Sequence, residues 1–189
     1  MDRQLAPGDQ LAIRPTLRPA LPGELELAVD IDTDACRTFV ELDAALDVEL
    51  PAAHSYALAE VARWSEILRA GQLFFACSAA GEPVGFAALC LVDGLPFLDQ
   101  LSVRRAAMRR GVGRSLMAFA QRWSAPKGEL WLTTYGHVPW NAPWYERLGF
   151  SRVAEPIWGP ELRAIIASER GALPCPNERI AMVYRHPRA

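Results

Sequence analysis

The chain has 189 residues and a formal net charge of −2, with 51% hydrophobic and 22% charged residues. Those values suit one globular domain with a full core. They give no global electrostatic case for nucleic acid, and no apolar run approaches the ~20 residues of a membrane helix. Residues 1–10 lack the apolar core of a secretion signal, so the default expectation is a cytoplasmic protein.

Residues 1–10 read as a loose tail and residues 11–189 as the domain. Leu11–Pro15 reads as a short first strand. The spacing of Phe39, Val40 and Leu42 predicts a helix over 33–46, with Asp32 or Thr33 as its cap. Ser55 opens a second helix to about Ala70, with Leu58, Val61, Ala62 and Ile67 facing inward and Gly71 closing it. Strands are expected at 73–78 and 84–91, separated by the hairpin loop Ala79–Pro83. Asp93-Gly94 reads as a tight turn into a strand over 95–103.

A helix over 111–124, a strand over 129–135, a short helix over 139–148 and strands over 150–154 and 180–185 complete the pattern. The order predicts an α/β (α+β mixed) fold around one sheet, with strand 95–103 lying parallel to strand 129–135. Residues 155–178 form a long connection with a helix over 160–170. It reads either as a lid over a binding site or as a dimer-contacting excursion.

Cys36, Cys77, Cys90 and Cys175 form no C-x-x-C pair, and no histidine lies at ligand spacing from them. Neither a metal site nor a disulfide is expected.

The chemistry concentrates where strand 95–103 gives way to an Arg-rich loop, then to Gly111 and Gly113, then to a helix marked by Leu116, Phe119, Ala120 and Trp123. A helix start behind such a loop offers bare N–H groups and a positive dipole end to a phosphate. Arg104, Arg105, Arg109, Arg110 and Arg114 surround that point. A dinucleotide fingerprint would need glycine where Leu116 stands, and a P-loop would need Gly-Lys, whereas Lys127 is the only lysine. The reading is a site for the pyrophosphate of a large anionic cofactor, against the bland alternative of a solvated basic turn.

About 30 residues on comes Asn141-Ala-Pro-Trp-Tyr-Glu-Arg-Leu-Gly-Phe150. Together the two segments resemble the GNAT superfamily of acyl-CoA-dependent N-acyltransferases. Met108-Arg-Arg-Gly-Val-Gly113 stands for that family's Gln/Arg-x-x-Gly-x-Gly/Ala loop, with Met at a position usually Gln or Arg. Asn141, Trp144, Tyr145, Leu148, Gly149 and Phe150 match its second motif. The strict resemblance covers about residues 95–154, and a looser one runs from 11 to 186.

The resemblance implies a single GNAT-like domain. Its central sheet would be mixed, mostly antiparallel and of about seven strands, with helices on both faces and one parallel strand pair forming a cofactor cleft. It implies acetyl-CoA or another acyl-CoA as cosubstrate and an amine as acceptor, with no nucleic acid or membrane partner; a homodimer is compatible with it. The implied cofactor-binding residues are Leu101, Ser102, Val103, Met108, Arg109, Arg110, Gly111, Val112, Gly113, Arg114, Ser115, Asn141 and Tyr145. Leu101 and Val103 would pair with the pantetheine arm through their backbones, and an N–H near them would meet the oxyanion. Asn141 would contact the cofactor arm or cap the short helix.

Tyr145 corresponds to the family's acid, which protonates the leaving thiolate. The base is open. The family often places Glu at the position of Gln100, and Gln cannot take a proton. Asp99 and His137 are the candidates, with a water relay as a further route. Strand alternation turns Asp99 away from Gln100 unless a bulge intervenes. The acidic residues over 24–49 read as a rim that attracts a cationic amine or as a solvated face. Trp140, Trp144, Trp158 and Tyr135 offer an aromatic floor. Two functions compete: an N-acetyltransferase acting on a primary amine of a small molecule or peptide, and a non-catalytic acyl-CoA-binding or sensing module, which Gln100 and Met108 favour.

Overall fold

The computed structural model describes residues 15–43, 46, 48 and 50–187. The tail over 1–10 lies outside them, as does the strand expected over 11–15 except for Pro15. The observed elements are β1 (Thr16–Pro19), α1 (Leu25–Leu42), α2 (Ser55–Arg69), β2 (Leu73–Cys77), β3 (Pro83–Val92), β4 (Leu95–Val103), α3 (Val112–Ser124), β5 (Glu129–Tyr135), α4 (Ala142–Glu146), β6 (Phe150–Val153), α5 (Pro160–Ala172) and β7 (Arg179–Arg185).

The seven strands form one sheet in the order β1-β2-β3-β4-β5-β7-β6. Every neighbouring pair is antiparallel except β4 and β5, which run parallel. This is the mixed, mostly antiparallel architecture expected. Helices cover both faces. Val112, Leu116, Met117 and Ala120 of α3 pack on Ala87, Leu89, Leu98, Leu130 and Met182. On the opposite face, Ala28 and Ile31 of α1 and Trp64 and Ile67 of α2 pack on Phe75, Phe86 and Ala88. Leu162 and Ile166 of α5 pack on Trp131, Ala181 and Val183. Successive residues of β3 and β7 thus serve different cores, as a pleated strand requires. Among the described residues, no helix is long and apolar enough to cross a membrane.

The main departure from the expected elements is α1, which begins eight residues before Thr33. Its start is set by Glu24, whose carboxylate accepts from Arg18 Nη1 and Nη2 at 2.7 and 2.8 Å and from the Leu21 N–H at 2.7 Å. Thr33 is an interior residue whose hydroxyl donates back to Val29 O at 2.9 Å. Asp32 is also interior, and its side chain reaches across to β4.

The connection over 155–178 is fastened to the rest of the domain at two points. The turn residue Asp93, with φ 53°, accepts from the N–H groups of Glu161 and Leu162 at 2.9 and 3.1 Å and so caps α5 from across the sheet. Trp158 is buried in the core under α5 and donates its indole N–H to Val153 O at 3.0 Å.

Candidate active site

The parallel pair β4 and β5 is joined only at Phe97–Trp131 and Leu98–Leu132. Beyond Leu98 the strands part. On its other edge β4 pairs with β3 as Ala88–Gln100 and Leu89–Leu98, so Asp99 is an extra residue, a β-bulge. A bulge bends its strand and raises the local twist, and here it falls where the pairing with β5 ends. The result is a cleft of about 1010 Å³ walled by α1, α2, β4, β5, α4, α5 and β7.

The Arg104 N–H donates to Val84 O at 2.8 Å, on the β3 side. Alternation therefore turns the N–H groups of Leu101 and Val103 toward the open edge. Ser102 points the other way and donates its hydroxyl to Asp32 Oδ1 at 2.6 Å. That side chain is committed to α1.

At the mouth, Gly111 takes φ 86° and Arg109 φ 61°, both left-handed, and α3 starts at Val112 with no side-chain cap. Glycine adopts that region without cost. The leading N–H groups of α3 (Val112, Gly113 and Arg114) lack the intrahelical partners that later turns have. Met108, Arg109, Gly111, Gly113 and Arg114 line the cleft, while Val112 is buried in the core and Ser115 and Arg110 lie outside the lining. A Cβ on Gly113 would meet Trp144 and Val103 only at an ordinary 3.7 Å. Nothing in the protein itself demands glycine there, which fits a position kept open for a ligand. An uncapped helix start, a tight glycine turn and cleft-lining guanidiniums suit a pyrophosphate.

Arg104 and Arg105 do not belong to that set. Arg104 Nη2 bonds Asp30 Oδ2 at 2.6 Å. The Arg105 N–H bonds Asp34 Oδ2 at 2.8 Å, and its guanidinium reaches Asp34 and Glu41. The same contacts revise the acidic rim, because Asp30, Asp34 and Glu41 tie α1 to the β4–α3 loop instead of meeting an acceptor. Asp47 and Glu49 lie outside the described residues.

Tyr145, on α4, lines the cleft with its ring against Trp144 and Phe150 at 5.0 and 5.6 Å. Burial pushes its phenol up to about 12, so it keeps its proton at neutral pH. Asn141 precedes α4 and lines the cleft, and its side chain makes no cap bond.

The two expected bases fare poorly. His137 is exposed, sits 3.5 Å from Glu178 Oε2 and is not part of the cleft wall. Asp99 does reach the cleft. The bulge puts it on the same face as Gln100, against simple alternation. There Arg63 Nε and Trp64 Nε1 donate to its two oxygens at 3.0 and 2.9 Å, so it is bound in place. Of the aromatics, Tyr135, Trp140 and Trp144 line the cleft and Trp158 does not.

Sequence reasoning missed the inner wall. Asp32 accepts from Gln100 Nε2 at 2.7 Å as well as from Ser102, and burial raises its carboxyl. Glu60 on α2 faces the same space. Deeper in, Glu169 accepts from Thr133 Oγ1 at 2.6 Å and pairs with buried Arg179 at 2.7 Å. Arg179 also stacks over Tyr135 at 4.7 Å. These acids come from three helices far apart in the chain, and only the missing acid at Gln100 hinted at them. Among the described residues, no group of His, Cys, Asp and Glu is arranged to hold a metal ion.

Residues 70–152 match the family model described as an acetyltransferase (GNAT) domain. The fold is similar to that of an acetyltransferase from Thermus thermophilus, with TM-score 0.62 and 20% identity over 93% of this chain and 99% of that one. It is similar to N-acetylglutamate synthase from Neisseria gonorrhoeae complexed with coenzyme A and N-acetyl-glutamate, with TM-score 0.61 and 18% identity over 92% of this chain. This chain spans only 35% of that synthase. It is also similar to an N-acetyltransferase from Thermoplasma acidophilum in complex with coenzyme A, with TM-score 0.56 and 16% identity over 90% of this chain and 98% of that one. The family match takes in β2 to β6, and with them the parallel pair that opens the cleft, and the seven-stranded sheet as a whole has the fold of these acetyltransferases.

Proposed function

We propose that residues 11–189 act as one acyl-CoA-dependent N-acyltransferase domain, with acetyl-CoA the expected donor and a primary amine of a small molecule or peptide the acceptor. The observation that carries this reading is the convergence, in one cleft, of the uncapped α3 start, the freed edge of β4 and the Tyr145 phenol.

Each part has a chemical task. The N–H groups at Gly111–Arg114 and the Arg109 and Arg114 guanidiniums hold the pyrophosphate; the helix terminus contributes roughly 0.3–1 kcal/mol of that. The N–H groups of Leu101 and Val103 orient the pantetheine arm, and one of them meets the carbonyl oxygen as it gains charge. Asn141 contacts the arm from the other side. Tyr145 donates its proton to the departing thiolate, a role that its raised value suits. An alkylamine of pKa ~10.4 must also lose a proton before it can attack, which costs about 4.6 kcal/mol at neutral pH.

The test is thiol release from acetyl-CoA across a panel of primary amines, beside a thermal-shift titration with CoA. Turnover with at least one amine and a CoA-dependent rise in melting temperature are expected. CoA binding without acetylation of any amine would instead favour the sensing module suggested by Gln100 and Met108.

A further inference from the structure

Among the described residues, four carboxyl side chains line the inner cleft: Asp32, Glu60, Asp99 and Glu169. Hydrogen bonds already engage three of them. Asp32 holds Gln100 and Ser102, Asp99 holds Arg63 and Trp64, and Glu169 holds Thr133 and Arg179. Glu60 accepts no hydrogen bond from another described side chain. Its nearest cation is Arg63, 4.0 Å away and already committed to Asp99.

The surroundings of Glu60 are acidic on three sides. Asp32 faces it from α1, Asp99 from β4 and Glu169 from α5, while Arg63 and Tyr56 share its own helix and Arg179 lies beyond Glu169 on β7. At this inner end four carboxyls stand against two guanidiniums, Arg63 and Arg179, and such a local surplus draws in a cation. Of the four described carboxylates, the one that accepts no side-chain hydrogen bond is the one that can receive that cation's proton.

We infer that Glu60, reaching in from α2, is the general base that deprotonates the acceptor's ammonium group. This rests on the N-acyltransferase reading. The ammonium gives one proton to the Glu60 carboxylate, and the neutral nitrogen then attacks the thioester carbonyl carbon, forming the C–N bond. The C–S bond breaks, the thiolate takes the Tyr145 proton, and the second proton on nitrogen returns to the Tyr145 oxygen. Glu60 releases its proton to solvent, so one proton leaves per turnover. Burial first, then the neighbouring Asp32, pushes the Glu60 carboxyl up to about 8, a value matched to proton transfer near neutral pH. The family's strand position for this acid is filled by Gln100, so the base comes from a helix on the other side of the cleft.

The test compares wild type, Glu60→Gln and Glu60→Asp in thiol release with acetyl-CoA and n-butylamine, 1,4-diaminobutane, benzylamine or a short peptide with a free N-terminus. Wild-type kcat/KM should rise with pH through a value near 8. Glu60→Gln should lose that limb and fall by about 100-fold or more, with Glu60→Asp in between and the CoA thermal shift unchanged in all three. A wild type that turns over, beside a Glu60→Gln variant with the same rate and pH profile, overturns the base alone. A wild type that releases no thiol with any amine overturns the acyltransferase reading, and the base with it. Carbon-13 NMR of the Glu side-chain carboxyls gives an independent readout: a Glu60 midpoint near 8 supports the assignment, and one in the ordinary carboxyl range overturns it.

Discussion

Gln100 Nε2 donates to Asp32 Oδ1 at 2.7 Å, so an amide on the bulged strand and a carboxylate inside α1 close the cleft wall between them. Ser102 shares the same acceptor oxygen. Removing the acceptor strands two donors at once, whereas an amide oxygen replaces it. We expect Asp32→Ala to lose about 1–3 kcal/mol of unfolding free energy and Asp32→Asn to lose clearly less. Urea denaturation of the two variants measures the difference, and equal losses would show that the bonds to Gln100 and Ser102 contribute nothing.

Glu60 gives a pH dependence of stability with a definite sign. Its folded value, about 8, lies above the ordinary glutamate value of 4.5. The folded state therefore holds the proton more tightly, and the stability this provides is full below about 4.5 and lost as pH rises toward 8. Glu60→Gln should match wild type in melting temperature at pH 4 and exceed it by about 2 °C or more at pH 9. A variant that melts lower than wild type at pH 9 would show that the carboxylate is stabilised in place.

Gly113 separates a ligand requirement from a folding requirement. It lies in the first turn of α3, and an added Cβ would meet only ordinary contacts. Glutamate is a better helix former than glycine, and its charge suits the first turn of a helix. Gly113→Glu should therefore fold at least as well as wild type yet bind CoA about tenfold or more weaker, which corresponds to about 1.4 kcal/mol. Calorimetric titration together with thermal melting checks both halves, and undiminished CoA affinity would remove the pyrophosphate from this turn.

Tyr145→Phe leaves the ring packed against Trp144 and Phe150 and removes only the hydroxyl. We expect kcat to fall by about 100-fold or more with CoA affinity unchanged. Because burial holds the phenol near 12, ionisation of Tyr145 should produce no alkaline loss of wild-type rate below about pH 11. Equal turnover by the two proteins would take the acid role away from this residue.

The cap on α5 predicts a coupled pair. A Cβ on Gly159 would collide with the Asp93 carboxyl group, so Gly159→Ala should displace the carboxylate that caps Glu161 and Leu162. Asp93→Ala loses the same cap, at a cost of about 0.5–2 kcal/mol. The double variant should be less destabilised than the sum of the two, by at least ~0.5 kcal/mol. Strict additivity in guanidinium denaturation would uncouple them.

The strands that frame the cleft were legible in the sequence because short apolar runs bounded by turn residues mark them. β4 and β5 fall at the expected residues, and Asp93-Gly94 makes the expected turn. The glycine turn before α3 and Tyr145 were legible as local motifs. The start of α1 was not, because Asp32 and Thr33 have cap chemistry but spend it elsewhere, on β4 and on Val29 O. The bulge at Asp99 was invisible because it depends on how β4 pairs with Ala88 and Leu89 of β3. Arg104 and Arg105 looked like phosphate ligands because their acidic partners on α1 are more than 60 residues away. The inner acids Asp32, Glu60 and Glu169 share no local pattern, since only tertiary packing brings α1, α2 and α5 together.

The ties from Arg104 and Arg105 to Asp30, Asp34 and Glu41 limit how freely the loop between β4 and α3 can be exchanged. A chimaera that imports residues 104–114 into a related scaffold without the matching helix would arrive with two guanidiniums lacking counter-ions and a loop amide lacking its acceptor. Loop and first helix form one transplantable cassette, although the whole of α2, β2, β3 and β4 separates them along the chain.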